Sequence, residues 1–229
     1  MKVLGFDTTT KFLAAALTDG GNVISRVHDE VNMGHSSLLI PVIDGMLKKS
    51  GMSLKDLGGI AVSIGPGSFT GLRIAVAACK AFGLAAGIPV VTVPTLDVIA
   101  YNYRHEGGYI APVIDAKKRR VYSAFYRCAG GGMEKISDDL LTDVDGFLAL
   151  VKHPTAVFGD GADLYGGRMK ENGKITVSGN GDWYPRGETV ARMGLAKLES
   201  GIAEDIDKIE PAYIYPKECN VIGFKYGEE

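Results

Sequence analysis

Apolar and polar positions alternate along the first half of the chain with two different periods. Short apolar runs predict strands, which lie at residues 3–6, 12–17, 23–31, 60–64 and 89–93. Apolar residues at helical spacing predict two helices between them, at residues 33–50 and 68–86. Because strands that alternate with helices are typical of α/β layers, we expect an α/β fold with parallel strand pairing.

The second half of the chain repeats the beginning of the first. The first strand ends at Asp7 and is followed by a polar turn, a second strand and a glycine turn. Residues 109–114 are again apolar, end at Asp115, and lead through a polar turn to a strand over residues 121–126 and the glycine turn AGGG. This internal duplication predicts two halves of βαβ type, joined by a linker at residues 104–108 and covering residues 1–103 and 109–229.

The remainder of the second half is less regular. Apolar spacing predicts helices over residues 143–151 and 189–200 and a short strand over residues 156–158. Residues 166–182 are rich in glycine, and their pattern assigns them no regular structure.

The loop GPGSFTG, residues 65–71, joins a predicted strand to a predicted helix, where glycine-rich loops often hold phosphate. It is not a P-loop, because threonine and glycine stand where that motif needs glycine and lysine. Thr70 replaces the third glycine of a dinucleotide-binding loop, and the flanking glycines of a nucleophile elbow around Ser68 are missing. We therefore expect Ser68 to cap the following helix, with a weak anion site on the same N–H groups as the alternative.

The two predicted helices of the first half carry more apolar surface than one buried face needs. Alanine and glycine make the helix over residues 68–86 slim on several faces, so that another helix can approach it closely. An exposed apolar patch of this kind usually marks a protein interface. We expect a partner surface that begins at His35 and contains Leu38, Leu39, Val42, Met46, Phe69, Leu72, Arg73, Val76 and Lys80.

The composition is that of an ordinary globular protein. Hydrophobic residues make up 46% of the chain and charged residues 23%, and the net charge of −2 gives no general attraction to nucleic acid or to anionic membranes. The three cysteines are widely spaced, which argues against a disulfide framework or a zinc site. The early Asp7 argues against a signal peptide, and no apolar run reaches transmembrane length, so we expect a soluble cytoplasmic chain with no membrane contact.

Six segments together resemble the bacterial TsaB (YeaZ) family, which takes part in making the threonylcarbamoyladenosine modification of tRNA. They are FDTTT, HSSLLIPVID, IGPGSFTGLRIAVAACKAFGLA, VPTLDVIA, DAKKRRVYSAFY and EPAYIY. The resemblance runs from Met1 to about Tyr215, and GPGSFTGLR is specific to this family and its relatives. It implies the duplicated fold of sugar kinases, Hsp70 and actin (the actin-like ATPase, or ASKHA, fold), in which two halves flank a cleft.

The resemblance also implies a non-catalytic scaffold that pairs with the catalytic paralogue TsaD through the two N-terminal helices. An ATP-dependent partner, TsaE, joins the assembly, tRNA is bound through the complex, and the chain alone is expected to form a homodimer through the same surface. TsaD carries a metal-binding HxxxH in a segment similar in position to VPTLDVIA, but Thr95 and Ile99 stand at the two histidine positions here. Since neither side chain can replace imidazole, we expect no metal site and no catalytic residue.

Two hairpin turns and one glycine segment are similar in position to the nucleotide-binding segments of this fold. By that resemblance the candidate residues are Asp7, Thr8, Thr9, Thr10, Asp115, Gly159 and Gly161. The same residue types are common in ordinary tight turns, and that interpretation is favoured for the chain by itself. No tightly bound cofactor is expected, although ATP or ADP at the partner interface is compatible with the resemblance.

Other interpretations stay open from the sequence. A small kinase or ATPase of the same fold would use Asp7 and the hydroxyls of residues 8–10 for Mg²⁺ and phosphate. A peptidase would need a nucleophile–base pair or a metal, and the sequence shows neither. The basic residues 117–120 fit a solvated turn better than a contact with tRNA phosphates, and residues 183–185, WYP, fit a loop anchor better than a recognition patch.

Overall fold

The first half of the chain forms a five-stranded sheet. The computed structural model describes residues 1–104, 107–179 and 183–214; part of the predicted linker, residues 105–106, and Cys219 lie outside the described residues. The elements in chain order are β1 (Lys2–Asp7), β2 (Phe12–Asp19), β3 (Asn22–Glu30), α1 (His35–Lys49), a 3₁₀ turn (Leu54–Asp56), β4 (Gly59–Ser63), α2 (Phe69–Ala86), β5 (Val90–Val93) and α3 (Thr95–Tyr103). The strand order is β3-β2-β1-β4-β5, with β2 antiparallel to both of its neighbours and β4 parallel to both of its own.

The second half forms a second sheet. Its elements are β6 (Gly108–Asp115), β7 (Arg120–Ser123), β8 (Tyr126–Ala129), β9 (Gly132–Lys135), β10 (Leu140–Asp143), α4 (Val144–Leu150), β11 (Thr155–Phe158), α5 (Asp160–Lys170), β12 (Ile175–Val177) and α6 (Gly187–Glu199). The main strand order is β10-β7-β6-β11-β12, and the hairpin β8–β9 is added through pairing of β8 with β6.

The two halves have the same topology. In each sheet the two strands on one side of the central strand pair in antiparallel fashion, and the two strands on its other side pair in parallel. The helices also correspond, because α1, α2 and α3 follow β3, β4 and β5 as α4, α5 and α6 follow β10, β11 and β12. Asp7 and Asp115 therefore end equivalent central strands, β1 and β6, as the sequence predicted.

The structure differs from the sequence pattern in the second half and at α3. The predicted strand over residues 121–126 is two strands, β7 and β8, which keep one register against β6. Their pairing is interrupted opposite Pro112, which has no N–H to donate. The glycine-rich residues 166–182 contain the end of α5 and all of β12, with residues 180–182 outside the described part. The helix α3 was not predicted.

Each sheet lies between two helical layers, and we call each sheet with the helices on it a lobe. α1 and α2 cover one face of the first sheet, and α4 and α5 cover one face of the second. The third helix of each half packs on the sheet of the other half. Helix α6 packs on the first sheet, and helix α3 packs on the second. The exchanged helices contact each other, and the hydroxyl of Thr189 on α6 donates to Asn102 Oδ1 on α3 over 2.5 Å.

Helix α2 begins and ends with recognisable caps. Ser68 is its N-cap, as predicted, and its hydroxyl accepts a hydrogen bond from the N–H of Gly71 at 3.3 Å. Gly87 ends the helix in the left-handed region, with φ of 67°. By length and composition alone α2 could also cross a membrane. However, its side chains Ala75, Val76 and Cys79 are buried in the core between α1 and the first sheet.

Candidate functional site

The polar side chains of the turn after β1 form hydrogen bonds with groups of this chain. Asp7, Thr8 and Thr9 are buried, and Thr9 donates to the Asp7 carboxyl from its N–H at 2.8 Å and from its hydroxyl at 3.0 Å. Thr8 donates from its hydroxyl to the carbonyl oxygen of Gly71 at 2.7 Å. The hydroxyl of Thr10 accepts from a backbone N–H two residues on, at 3.3 Å. The polar groups that the resemblance assigns to phosphate therefore have partners inside this chain.

The loop GPGSFTG lies directly on this turn. Ser68 donates from its N–H to the carbonyl oxygen of Thr9 at 2.7 Å. A Cβ on Gly67 would lie 2.5 Å from that oxygen, and a Cβ on Gly71 would lie 1.9 Å from the carbonyl oxygen of Thr8. Because no side chain fits at these positions, the two glycines serve the close packing of the loop on the turn.

The carboxyl of Asp7 lies at the centre of this packing. Burial raises its pKa, while the hydrogen bonds from Thr9 and the charge of His35 act in the opposite direction. His35 is itself buried, and its Nε2 lies 3.1 Å from the carbonyl oxygen of Phe12. This contact fixes the start of α1 against β2.

The equivalent turn after β6 is more open. Asp115 accepts from the N–H of Lys117 at 2.9 Å and forms an ion pair with Lys117 Nζ at 2.7 Å. The N–H of Asp115 donates to Asp160 Oδ1 at 2.9 Å. Burial raises the pKa of Asp160, and the charge of Asp115 adds to this effect. Residues 117–119 all have left-handed φ angles, between 51° and 62°, which L residues seldom adopt.

A Gly-x-Gly turn packs against each of these hairpins. Gly65 and Gly159 follow β4 and β11 with φ angles of 115° and 111°. Two residues after Gly159, a Cβ on Gly161 would lie 3.1 Å from the backbone nitrogen of Asp115 and 2.8 Å from Val113 Cγ1. GPGSFTG and GDGAD therefore play the same structural role in the two halves. Each forms a turn at the end of a parallel strand and packs against the neighbouring hairpin.

Thr95 and Ile99, the two positions that the resemblance matched to the TsaD histidines, have contacts within this chain. Ile99 is buried in the core between α3 and the second sheet. Thr95 accepts from the N–H of Gly65 at 3.1 Å and donates to Thr9 Oγ1 at 3.4 Å. Within residues 1–104, 107–179 and 183–214, no group of three or more His, Cys, Asp and Glu side chains is placed to hold a metal ion.

Helices α1 and α2 contact each other, and several of their exposed side chains are large and apolar. Leu38 is 40% exposed, Phe69 is 53% exposed and Leu84 is 65% exposed. Between its larger side chains α2 exposes alanines, which leave room for the close approach of another helix. We call this surface the outer helical face, formed by Leu38, Pro41, Phe69, Arg73, Ala77, Ala81, Leu84 and Ala85.

Half of the residues predicted for the partner surface lie in the core instead. The buried ones are His35, Leu39, Met46, Leu72 and Val76. The prediction placed them outside because the apolar stripes of both helices are wide, and a stripe does not show which of its sides the sheet covers. Val42 and Lys80 are partly buried, and Lys80 Nζ donates to the carbonyl oxygen of Asp207 at 3.0 Å. The exposed members of the predicted set are Leu38, Phe69 and Arg73.

Phe69 and Arg73, both predicted for the partner surface, form an aromatic–arginine cluster with Tyr213, which was not predicted, at one end of the outer helical face. The guanidinium carbon of Arg73 lies 4.0 Å from the ring centre of Phe69. Arg73 Nε donates to the hydroxyl of Tyr213 at 3.2 Å, and the rings of Phe69 and Tyr213 lie 5.1 Å apart. Tyr213 comes from a segment that returns to the first lobe, where Ala212 donates to the carbonyl oxygen of Ile64 at 2.8 Å. The only sequence signal for it was the motif EPAYIY.

Comparison with known proteins gives consistent matches along the chain. The sequence model of the TsaD family, described as tRNA N6-adenosine threonylcarbamoyltransferase, matches residues 27–213. The tRNA threonylcarbamoyladenosine biosynthesis protein TsaB of Bacillus subtilis is 28% identical over 219 residues, which cover 93% of this chain and 94% of that protein. The protein of the same name from Escherichia coli is 34% identical over 130 residues, which cover 56% of this chain and 55% of that protein.

A solved structure matches the whole fold. YeaZ from Pseudomonas aeruginosa superposes with a TM-score of 0.77 at 23% identity, over 93% of this chain and 99% of that chain. Together with the repeated topology of the two sheets, this likeness confirms the predicted fold class, a duplicated α/β fold of the actin-like ATPase type.

Proposed function

The chain belongs to the TsaD protein family and, within it, to the TsaB (YeaZ) group, and we propose that it acts as a non-catalytic subunit that activates a TsaD-like paralogue. It has a role in tRNA threonylcarbamoyladenosine biosynthesis, the process that the names of its relatives give. In this proposal the paralogue transfers the threonylcarbamoyl group onto N6 of an adenosine in tRNA. The chain supplies a surface that holds the paralogue in its active form, and the assembly works in the cytoplasm.

The observation that carries the proposal is the outer helical face. Large apolar side chains are exposed on two adjacent helices, and one of these helices is lined with alanine between them. An exposed patch that combines large apolar groups with small residues suits close helix packing against a partner. The cluster of Phe69, Arg73 and Tyr213 adds aromatic and arginine side chains, which often dominate the binding energy of interfaces.

The non-catalytic part of the proposal is supported by the contacts of α3. Thr95 uses its hydroxyl to join the GPGSFTG loop to the first turn, and Ile99 fills the core of the second lobe. The side chains of both residues are therefore used for hydrogen bonding and packing within this chain. The chemistry is therefore assigned to the paralogue.

Three further features belong to the same proposal. The chain by itself forms an isologous homodimer through the outer helical face, which the paralogue displaces. A TsaE-like ATPase joins the pair, and tRNA is held by the complex. ATP or ADP, where it binds, lies at the interface between the partners, since the polar groups of the first turn are already hydrogen-bonded within the chain.

Threonylcarbamoylation of tRNA by the purified paralogue, with preformed threonylcarbamoyl-adenylate, tests the proposal. Activity is expected to rise when the chain is added, and light scattering is expected to detect the pair. Leu84→Asp should weaken pairing at least about tenfold. Leu164→Asp is the matched control, because Leu164 is 61% exposed on α5 in the other lobe. Unchanged activity together with no detectable complex would overturn the proposal.

A further inference from the structure

A cavity of about 430 Å³ lies where β2 and β3 meet the segment before α6 and the first turn of α5. Its volume is within the range of small-molecule and single-base sites. Aromatic side chains form much of its wall, accompanied by two cationic and two acidic ones: Phe12, His28, Trp183, Tyr184, Lys11, Arg186, Glu30 and Asp163. Lys11 forms an ion pair with Glu30 at 3.1 Å. These residues lie apart from the outer helical face and are not among the turn residues considered for nucleotide.

The aromatic rings of the cavity pack on one another. Phe12 and His28 stack with ring centres 4.6 Å apart and planes inclined by 13°. The ring centre of Tyr184 lies 4.6 Å from the ring centre of Phe12. The Nζ of Lys11 lies 5.5 Å from the ring centres of both Phe12 and Tyr184. Phe12 and His28 meet because they lie on the same face of the β2–β3 pair, opposite the face on which Val27 packs into the core.

Two buried nitrogens of the cavity wall have no hydrogen-bond partner within the described residues: His28 Nε2 and Trp183 Nε1. Burial lowers the pKa of His28, which favours the neutral imidazole, and a neutral imidazole has one donor and one acceptor nitrogen. Trp183 Nε1 is a donor. Buried polar groups in proteins are almost always paired. A ligand edge that offers one donor and one acceptor, as a nucleobase does, would satisfy both.

Arginines lie directly beside the cavity. Arg186 lines both the cavity and a neighbouring depression of about 330 Å³, to which Arg104, Arg192 and Glu188 also contribute. Glu188 is paired with Arg26 at 3.2 Å. The two sites are held side by side because Asn102 Nδ2 donates to the carbonyl oxygen of Tyr184 at 3.1 Å. The guanidinium of Arg104 lies 3.7 Å from the ring centre of Tyr101 and donates to the carbonyl oxygen of that residue at 2.6 Å. Planar guanidinium groups suit the recognition of phosphate oxygens.

We propose that the cavity and the depression together bind single-stranded RNA, with one unstacked base among the aromatic rings and an adjoining phosphate on the arginines. Unpaired bases on aromatic side chains and phosphates on arginine are the usual features of single-strand RNA recognition. The open depression leaves room for a strand to continue past the site. This RNA contact adds to the proposed function, does not involve the outer helical face, and is tested on the chain without its partner.

Trp183 is the only tryptophan of the chain, so its fluorescence reports on the cavity directly. A labelled single-stranded oligoribonucleotide is titrated with the chain at about 50 mM salt, where phosphate contacts are strong. Binding is followed by anisotropy and by the quenching of Trp183. AMP is titrated in parallel, because a free mononucleotide offers the same base and phosphate chemistry.

We expect the oligonucleotide to bind and to quench Trp183, and AMP to bind at least about tenfold more weakly. Tyr184→Ala and Arg192→Glu should each weaken RNA binding at least about tenfold, while Tyr184→Phe, which keeps the ring, should bind like the unchanged chain. Lys118→Glu, on the exposed basic turn, is the charge control.

Three results would overturn the inference. They are RNA binding without a change in Trp183 fluorescence, RNA binding that depends on Lys118 and not on Arg192, and binding of AMP as tight as that of the oligonucleotide. Absence of any RNA binding by a chain whose circular dichroism and melting are normal would also overturn it. None of these results bears on pairing through the outer helical face, which is measured separately.

Discussion

The carbonyl oxygen of Thr8 and the α-carbon of Gly71 are in such close contact that a Cβ on Gly71 would lie 1.9 Å from that oxygen. The hydroxyl of Thr8 also donates to the carbonyl oxygen of Gly71 at 2.7 Å. The first turn of α2 therefore rests on the β1–β2 turn without an intervening side chain. The position of the outer helical face depends on this contact.

Gly71→Ala should destabilise the chain by about 3 kcal/mol, because a methyl group must displace backbone at both elements. Gly45→Ala is the control: Gly45 lies within α1, and apart from the backbone of that helix no atom lies within 4 Å of the place a Cβ would take. That substitution should stabilise the chain by about 0.5–1 kcal/mol through helix propensity. Urea unfolding of both variants measures the difference. Equal stabilities would contradict the close contact.

Leu39→Asp and Leu84→Asp should have different effects on stability, because one residue lies in the core and the other on the surface of the two helices. Leu39 is buried, so an aspartate there should cost at least about 3 kcal/mol of stability. Leu84 is exposed, so its replacement should change the stability of the isolated chain by no more than about 0.5 kcal/mol. Thermal melting of the isolated chain distinguishes them. A stable Leu39→Asp variant would show that α1 does not face the sheet as described.

Asp7→Asn should change how stability depends on pH. Because burial raises the folded-state pKa of Asp7, the folded chain holds this proton more tightly than the unfolded chain. The contribution of Asp7 is therefore most favourable below its unfolded pKa of about 3.9 and is lost as pH rises through the folded pKa. The loss amounts to about 1.4 kcal/mol for each pH unit that separates the folded pKa from the unfolded one.

The stability of Asp7→Asn relative to the unchanged chain should consequently increase from about pH 4 to pH 7. Denaturant unfolding across that range measures it. Asp44→Asn, at an exposed position on α1, is the control for removing one carboxyl charge. Parallel curves for Asp7→Asn and the unchanged chain would contradict a raised pKa at Asp7.

Cys79 should not react with thiol reagents in the native chain. Burial raises the pKa of its thiol to about 12, so almost no thiolate is present at pH 8, and α2 shields the sulfur from solvent. Its modification should follow the unfolding transition in denaturant. Peptide mapping after pulse alkylation measures this at Cys79 separately from the other cysteines. Rapid labelling without denaturant would show that α2 opens locally.

The sequence predicted the parts of the fold that depend on local patterns. The strands ending at Asp7 and Asp115 were recognisable because an apolar run followed by a polar turn has the same appearance in both halves. Ser68 was recognisable as a cap because its chemistry acts within one turn of helix. These features need no knowledge of distant residues.

The parts that could not be predicted depend on contacts between distant residues. Leu38 and Leu39 are neighbours of the same type, and only the position of the first sheet makes one exposed and the other buried. The role of Gly71 depends on Thr8, 63 positions earlier. The cavity beside β3 could not be foreseen either, because His28 and Tyr184 come from opposite halves of the chain.

The exchange of α3 and α6 means that the repeated unit of the sequence is not the unit that folds. A chain cut at the linker would leave each sheet without the helix that covers one of its faces, so separately produced halves should be insoluble unless they are mixed. Two copies of a single repeat could cover each other by the same exchange, as a symmetric pair. Covalent fusion of such a pair would then allow the copies to diverge, one keeping its turn buried and the other keeping its turn open.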